Sequence, residues 1–262
     1  MPSPRPPVSS ITLDAGSFAV IHQENADLQR PPASLTKLMT AYAAYEQVAS
    51  GAAAWEMPVT VAAEDVQAVA DDETRMGLVP GETVTLGRLL QGMLVVSGND
   101  AALVLARHLH GSQAAYLQHM NALARRLGLG STWFASVSGI TTPRHVSSAR
   151  DMAVLAGRLL ADHPQVLAIT AQPAFAHGTF SRSNQNALLA DEGVDGLKTG
   201  YTRAAGFCLA ATARRPIAGH AQPVRLITVV LGSEDREARD ARVRRHLASG
   251  FAALAGDTVA EA

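Results

Sequence analysis

Strand-like segments at both ends of a 262-residue chain, helical segments between them, and no repeat or linker to divide it predict a mixed α/β (α+β) fold. The expected architecture is an antiparallel sheet built from N- and C-terminal strands, with a helical lobe inserted. Residues 11–22 are apolar and β-compatible around Asp14-Ala15-Gly16-Ser17, which reads as a hairpin. Pro31-Pro32 ends the extended chain, and Leu35, Leu38, Met39, Tyr42 and Tyr45 recur at helical spacing, so a core-facing helix is expected over 33–48. Residues 50–81 are loop-rich. Two helices are expected over 85–96 and 100–110, broken by Ser97-Gly98-Asn99. Further helices follow over 112–127 and 148–160, the second opened by Ser147 or Ser148 as cap with Asp151 in its first turn. From Gly196 the pattern turns to strands, over 196–201, 206–213 and 224–231, before a last helix over 234–254. The expected division is a flexible segment over 1–9, one domain over 10–255 and a tail over 256–262.

Composition narrows the functional classes. With 47% hydrophobic and 17% charged residues the chain can bury about three quarters of its unfolded surface, and a formal charge of -1 provides no global field for nucleic acid or acidic lipid. Cys208 is the single cysteine, which excludes an intrachain disulfide and any multi-cysteine zinc site. The apolar runs 89–96 and 101–106 are separated by Ser97, Gly98, Asn99 and Asp100, short of the roughly 18 to 20 residues a membrane-spanning helix needs. No transmembrane segment is expected. The first ten residues hold Pro2, Pro4, Pro6 and Pro7 and no apolar core of a signal peptide. Phosphate-loop, nucleophile-elbow and HExxH motifs are missing, and His108 and His110, two apart, point to different sides of a helix. Neither a metal nor a cofactor is expected.

The basic residues are the most informative: 20 of the 22 are Arg, and only Lys37 and Lys198 are Lys. A solvated cation can be either residue. A site that needs a proton to leave, or a compact ammonium, cannot use Arg, so two retained lysines are candidates for chemistry.

In Ser34-Leu35-Thr36-Lys37 the hydroxyl and the amine share one helical face, with β-carbons roughly 5–6 Å apart. A desolvated lysine can take a serine's proton, although alone the pattern reads more simply as a capping serine followed by a surface lysine. Ser97-Gly98-Asn99 is a polar break in an apolar helix pair, or an ordinary turn in which Asn99 caps the next helix. Lys198-Thr199-Gly200 ends a strand, with Gly200 allowing close approach of a backbone or ligand, or simply marks a strand-to-turn boundary. Together, in this order and using both lysines, they form the set S-x-x-K, S-x-N and K-T-G.

On these motifs the chain resembles the low-molecular-mass penicillin-binding proteins that act as serine-type D-alanyl-D-alanine carboxypeptidases, peptidase family S11. The likeness extends to Arg30-Pro31-Pro32-Ala33 before the first motif, Asp100-Ala101 after the second, Ser147-Ser148-Ala149-Arg150-Asp151-Met152, and Asp195-Gly196-Leu197 before the third. It covers about residues 10 to 255 and implies a β-lactamase/transpeptidase-like fold. By this resemblance Ser34 is the nucleophile, Lys37 its base, and Ser97 returns a proton to the departing amine. Asn99 holds the substrate's peptide group, and Lys198 and Thr199 face its carboxylate beside Gly200. The backbone N–H groups of Ser34 and Tyr201 form the oxyanion hole. Arg239 falls where the family carries a carboxylate-binding arginine, although Arg236 opens a similar run and a solvated helix face would explain either. The implied partners are a peptidoglycan stem peptide as substrate and β-lactam antibiotics as covalent inhibitors, which places the protein in the periplasm or otherwise outside the cytoplasm. Where the family commonly has His-Gly-Leu this chain has Ser138-Gly139-Ile140. It also has no room after Gly250-Phe251 for a second domain and amphipathic anchor, so a soluble catalytic domain is expected.

Three other readings compete. A class A β-lactamase places a deacylating Glu between the second and third motifs, and no Glu occurs from Asp100 through Asp191. An endopeptidase cutting D-alanyl crosslinks would keep the same residues. A noncatalytic wall-binding module would not need the two lysines.

Overall fold

The hairpin turn is closed by one carboxylate: Asp14 Oδ1 accepts from the Ser17 amide and hydroxyl, both at 2.7 Å, and from the Gly16 amide at 3.2 Å. In the computed structural model, which describes residues 6–256, this turn joins β1 (Ser9–Asp14) to β2 (Val20–Glu24). A single 3₁₀ turn, Ala33–Thr36, then leads into α1 (Lys37–Ala49). The stretch expected as loop contains β3 (Pro58–Thr60) and α2 (Ala63–Gln67), and β3 pairs with β4 (Thr83–Thr85). α3 (Leu86–Val95) and α4 (Asn99–His110) flank the polar break, followed by α5 (Gln113–Arg126) and α6 (Ala149–Asp162). After the short α7 (Leu167–Thr170), β5 (Ala174–His177) and β6 (Phe180–Ser183) form a hairpin that the sequence pattern had not marked. β7 (Val194–Thr202), β8 (Gly206–Arg215), β9 (Val224–Ser233) and α8 (Arg236–Ala255) complete the chain.

The five-stranded sheet has the order β2-β1-β9-β8-β7, antiparallel throughout, so the N-terminal hairpin extends a C-terminal meander as expected. Both faces are covered, and the two-residue period of a strand sorts its side chains accordingly. On β9, Ile227, Val229 and Leu231 join the core shared with the helical lobe, while Leu226 and Val230 pack with Val243, Leu247 and Phe251 of α8. That is why β9 reads as a continuous apolar run. The hydroxyls of Thr12 and Thr228, directly opposed across β1 and β9, satisfy each other at 2.9 Å.

Ser147-Ser148-Ala149-Arg150-Asp151 is scaffold. Ser148 Oγ caps α6 by accepting from the Asp151 amide, and the Asp151 carboxylate accepts from the Ser131 amide and the Thr132 hydroxyl. Arg150 clamps Asp27 and Gln23. The buried Arg30 donates to the Pro7 carbonyl at 2.6 Å and exchanges backbone hydrogen bonds with Ser147, which fixes the approach to the 3₁₀ turn. The expected flexible segment 1–9 and tail 256–262 fall in part outside the described residues; within them β1 begins at Ser9 and α8 ends at Ala255.

Candidate active site

Ser34 lies in the 3₁₀ turn, not in the first turn of an α-helix as the spacing predicted. The difference favours the chemistry, because side chains at i and i+3 eclipse in a 3₁₀ turn and align Ser34 with Lys37. The turn is entered through Ala33 in the left-handed region at φ 50°, a strained conformation for a residue with a β-carbon. A buried relay holds it there: the Thr36 hydroxyl donates to the Ala33 carbonyl at 2.8 Å and meets His145 Nε2 at 2.8 Å. His145 Nδ1 accepts from the Ala135 amide, so Nε2 carries the proton and donates to Thr36. Burial pushes His145 down to about 4, keeping the ring neutral.

Lys37 is fully buried, and its Nζ has three neighbours: Asn99 Oδ1 and the Ser138 carbonyl at 2.6 Å, and Ser34 Oγ at 3.0 Å. The first two can only accept. A neutral amine has two N–H bonds for them and one lone pair, which then faces the Ser34 hydroxyl. Desolvation, with Lys198 nearby, holds the Lys37 amine well below the ordinary lysine range, while Glu73 and Asp100 oppose the shift. Geometry and electrostatics thus favour an amine able to accept the serine proton.

Asn99 is the first residue of α4, and its side chain reaches into the site instead of capping the helix. The preceding Ser97 is buried with φ at 64°, a second strained residue bordering the site. The break is braced by the Asp100 carboxylate, which accepts from the amides of Met76, Gly77, Leu78 and Ala101. Thr74 adds two bonds, its hydroxyl to the Ser97 carbonyl and its carbonyl from the Asn99 amide. Gly98 leaves space for this packing, since a β-carbon would approach the Met76 backbone nitrogen to 3.1 Å.

β7 supplies the opposite wall. A β-carbon on Gly200 would lie 3.0 Å from the Ser34 amide nitrogen, so the strand runs against the backbone of Ser34. Lys198 and Thr199 are buried, and Lys198 Nζ donates to the Thr199 carbonyl at 2.9 Å. Burial and the neighbouring Arg239 lower Lys198 to about 7. Arg239 is buried and paired with Asp240 at 2.7 Å, whereas Arg236 is exposed. Tyr201 differs from the rest: it is 53% exposed and leans on Phe207, ring centroids 4.4 Å apart.

Sequence reasoning missed three contributors. Ser138 takes part through its carbonyl, an atom that any residue at this position would supply. Gly139, at φ 94°, sits where a β-carbon would overlap the Ala33 carbonyl. The third is Glu73, whose Oε2 accepts from Asn99 Nδ2 at 2.5 Å; it belongs to a loop with no motif of its own. Among the described residues no group of three or more His, Cys, Asp or Glu could hold a metal ion, and no helix is long and apolar enough to cross a membrane.

Known proteins are similar to this chain in sequence and in fold. D-alanyl-D-alanine carboxypeptidase DacC of Escherichia coli (strain K12) is 36% identical over 247 residues, covering 92% of this chain and 60% of that protein. The chain therefore spans about three fifths of that relative's length. DacB2 of Mycobacterium tuberculosis is 33% identical, with 82% and 73% of the two chains covered. Penicillin-binding protein 5 from Haemophilus influenzae superimposes with a TM-score of 0.88 at 32% identity, over 95% of this chain and 72% of that one. Penicillin-binding protein D2 from Listeria monocytogenes, in its ampicillin-bound form, gives a TM-score of 0.80 at 31% identity, over 93% and 96%. Residues 7–235 match the peptidase S11 family, D-alanyl-D-alanine carboxypeptidase, and the chain belongs to that family.

Proposed function

We propose that this chain is a serine-type D-alanyl-D-alanine carboxypeptidase that removes the terminal D-alanine from peptidoglycan stem pentapeptides and is inhibited by covalent attachment of β-lactams. The observation that carries the reading is the Lys37 amine, held by two obligate acceptors so that its lone pair faces Ser34 Oγ.

Lys37 takes the hydroxyl proton as Ser34 Oγ attacks the carbonyl between the two terminal D-alanines. Negative charge develops on the carbonyl oxygen, where the backbone N–H groups of Ser34 and Tyr201 receive it. The C–N bond breaks, Ser97 passes a proton to the departing amine, and D-alanine leaves. Water then cleaves the ester, returning the stem peptide's new carboxylate and the Ser34 hydroxyl. Asn99 holds the substrate's peptide group. Lys198, Thr199 and Arg239 face the terminal carboxylate, whose charge would relieve the repulsion between two buried cations. Such a substrate places the enzyme outside the cytoplasm.

Mass spectrometry of the protein after exposure to penicillin should show a stable adduct on Ser34, and incubation with pentapeptide should release free D-alanine. An unmodified Ser34, or release of crosslinked dimers' halves without D-alanine from pentapeptide, would overturn this reading in favour of a noncatalytic module or an endopeptidase respectively.

A further inference from the structure

We propose that Glu73 is a positioning residue for acylation: its carboxylate fixes which way the Asn99 amide faces, and its negative charge favours the protonated form of Lys37. This inference rests on Lys37 being the base.

The first half follows from hydrogen-bond chemistry. Either end of an asparagine amide fits the same outline, and only its neighbours decide which end is which. Glu73 is acceptor-only, and its Oε2 lies 2.5 Å from Asn99, so the NH₂ end must face it. The carbonyl end is thereby turned to Lys37 at 2.6 Å. Were the amide reversed, its NH₂ would donate to the Lys37 lone pair and compete with the Ser34 hydroxyl for it. Glu73 thus keeps that lone pair directed at the nucleophile through a continuous path of Glu73, Asn99, Lys37 and Ser34.

The second half follows from charge. The charged groups that face Lys37 are Lys198 from β7, Asp100 from α4, and Glu73 from the loop before β4. Asp100 has its carboxylate engaged by four backbone amides. Glu73 engages Asn99 and is half-buried, so its field reaches Lys37 through the amide it orients. The Glu73 backbone is tied locally, its amide donating to the Ala70 carbonyl, and the neighbouring Thr74 bonds to both Ser97 and Asn99. The loop therefore has a defined seat against the second motif.

The two halves separate by substitution. Glu73→Gln has no charge but keeps a carbonyl that accepts from Asn99 when its own amide is turned that way, whereas Glu73→Ala removes both. The measurement is the acylation rate constant with a fluorescent penicillin as a function of pH, for wild type, both variants and Lys37→Arg, with thermal melting to verify folding. Removing a negative charge near a basic amine lowers its proton affinity, so the active neutral amine persists to lower pH. Glu73→Gln should move the acid limb down by about one pH unit with a plateau within about threefold of wild type. Glu73→Ala should also lower the plateau by about tenfold or more, because the amide is then free to reverse. An acid limb of Glu73→Gln that coincides with wild type, or a Glu73→Ala plateau at the wild-type level, overturns the inference. Undiminished acylation by Lys37→Arg would instead overturn the base assignment itself, so the two failures are distinguishable.

Discussion

Lys37 and Lys198 are the two lysines of the chain, both buried and both lowered by desolvation, yet their surroundings differ. Lys37 meets two carbonyl oxygens and one hydroxyl, a set that a neutral amine completes with its lone pair on Ser34. Lys198 donates to a single backbone carbonyl and has Arg239 nearby, so its remaining donors and charge suit an incoming anion. Burial makes either amine easier to deprotonate. The acceptors of Lys37 suit the proton transfer proposed for it, and the sparser partners of Lys198 suit the carboxylate binding proposed for that residue.

The contrast breaks most sharply at Lys37. Lys37→Arg keeps a basic side chain but one that cannot release its proton at physiological pH, so acylation by penicillin should fall by about a thousandfold or more. Thermal melting should still show a cooperative transition, and residual acylation near wild type would erase the distinction between the lysines. Lys198→Ala tests the other side. It should cost about 10- to 100-fold in kcat/KM on a peptide with a free C-terminal carboxylate and much less on one whose terminus is amidated. Equal losses on both peptides would make Lys198 a general structural residue.

A pH profile sharpens the comparison with a smaller effect. Lys198, lowered to about 7, carries its charge below that pH and loses it above, so KM for the carboxylate substrate should rise several-fold as pH increases through about 7. Lys198→Arg, which remains charged, should flatten this rise, while the acid limb set by Lys37 remains. The smallest effect is expected away from both lysines. Ser148→Ala removes the cap of α6 and should lower stability by about 1 kcal/mol in denaturant titration, with acylation unchanged. A parallel loss of acylation would show that the scaffold motif reaches into the site.

Local chemistry was legible wherever it repeats. The hydrophobic period placed α3 to α6, β7 to β9 and α8 within a few residues, because each buries one regular stripe or face against the sheet or lobe. Motif order singled out Ser34, Lys37 and the strand that carries Lys198, which the fold brings together. The β5–β6 hairpin escaped notice because its strands are four residues each and mostly exposed, leaving little alternation to read. The first turn was misjudged because i and i+3 spacing fits a 3₁₀ turn as well as an α-helix, and the strained Ala33 is held by Thr36 of the same turn together with His145, 109 residues from Thr36.

Residue type and spacing along the chain were enough to determine that Ser34 and Lys37 are neighbours, since three residues of any helix bring them together. They were equally enough to single out two lysines among so many arginines. Only folding decided what surrounds the amine. Its acceptors come from positions 62 and 101 residues away, one of them a main-chain carbonyl that no residue name reveals, and Glu73 enters from a loop 26 residues before Asn99. The reason is physical: periodicity is written in neighbours, but the proton affinity of a buried group is set by everything packed around it, from wherever in the chain it comes.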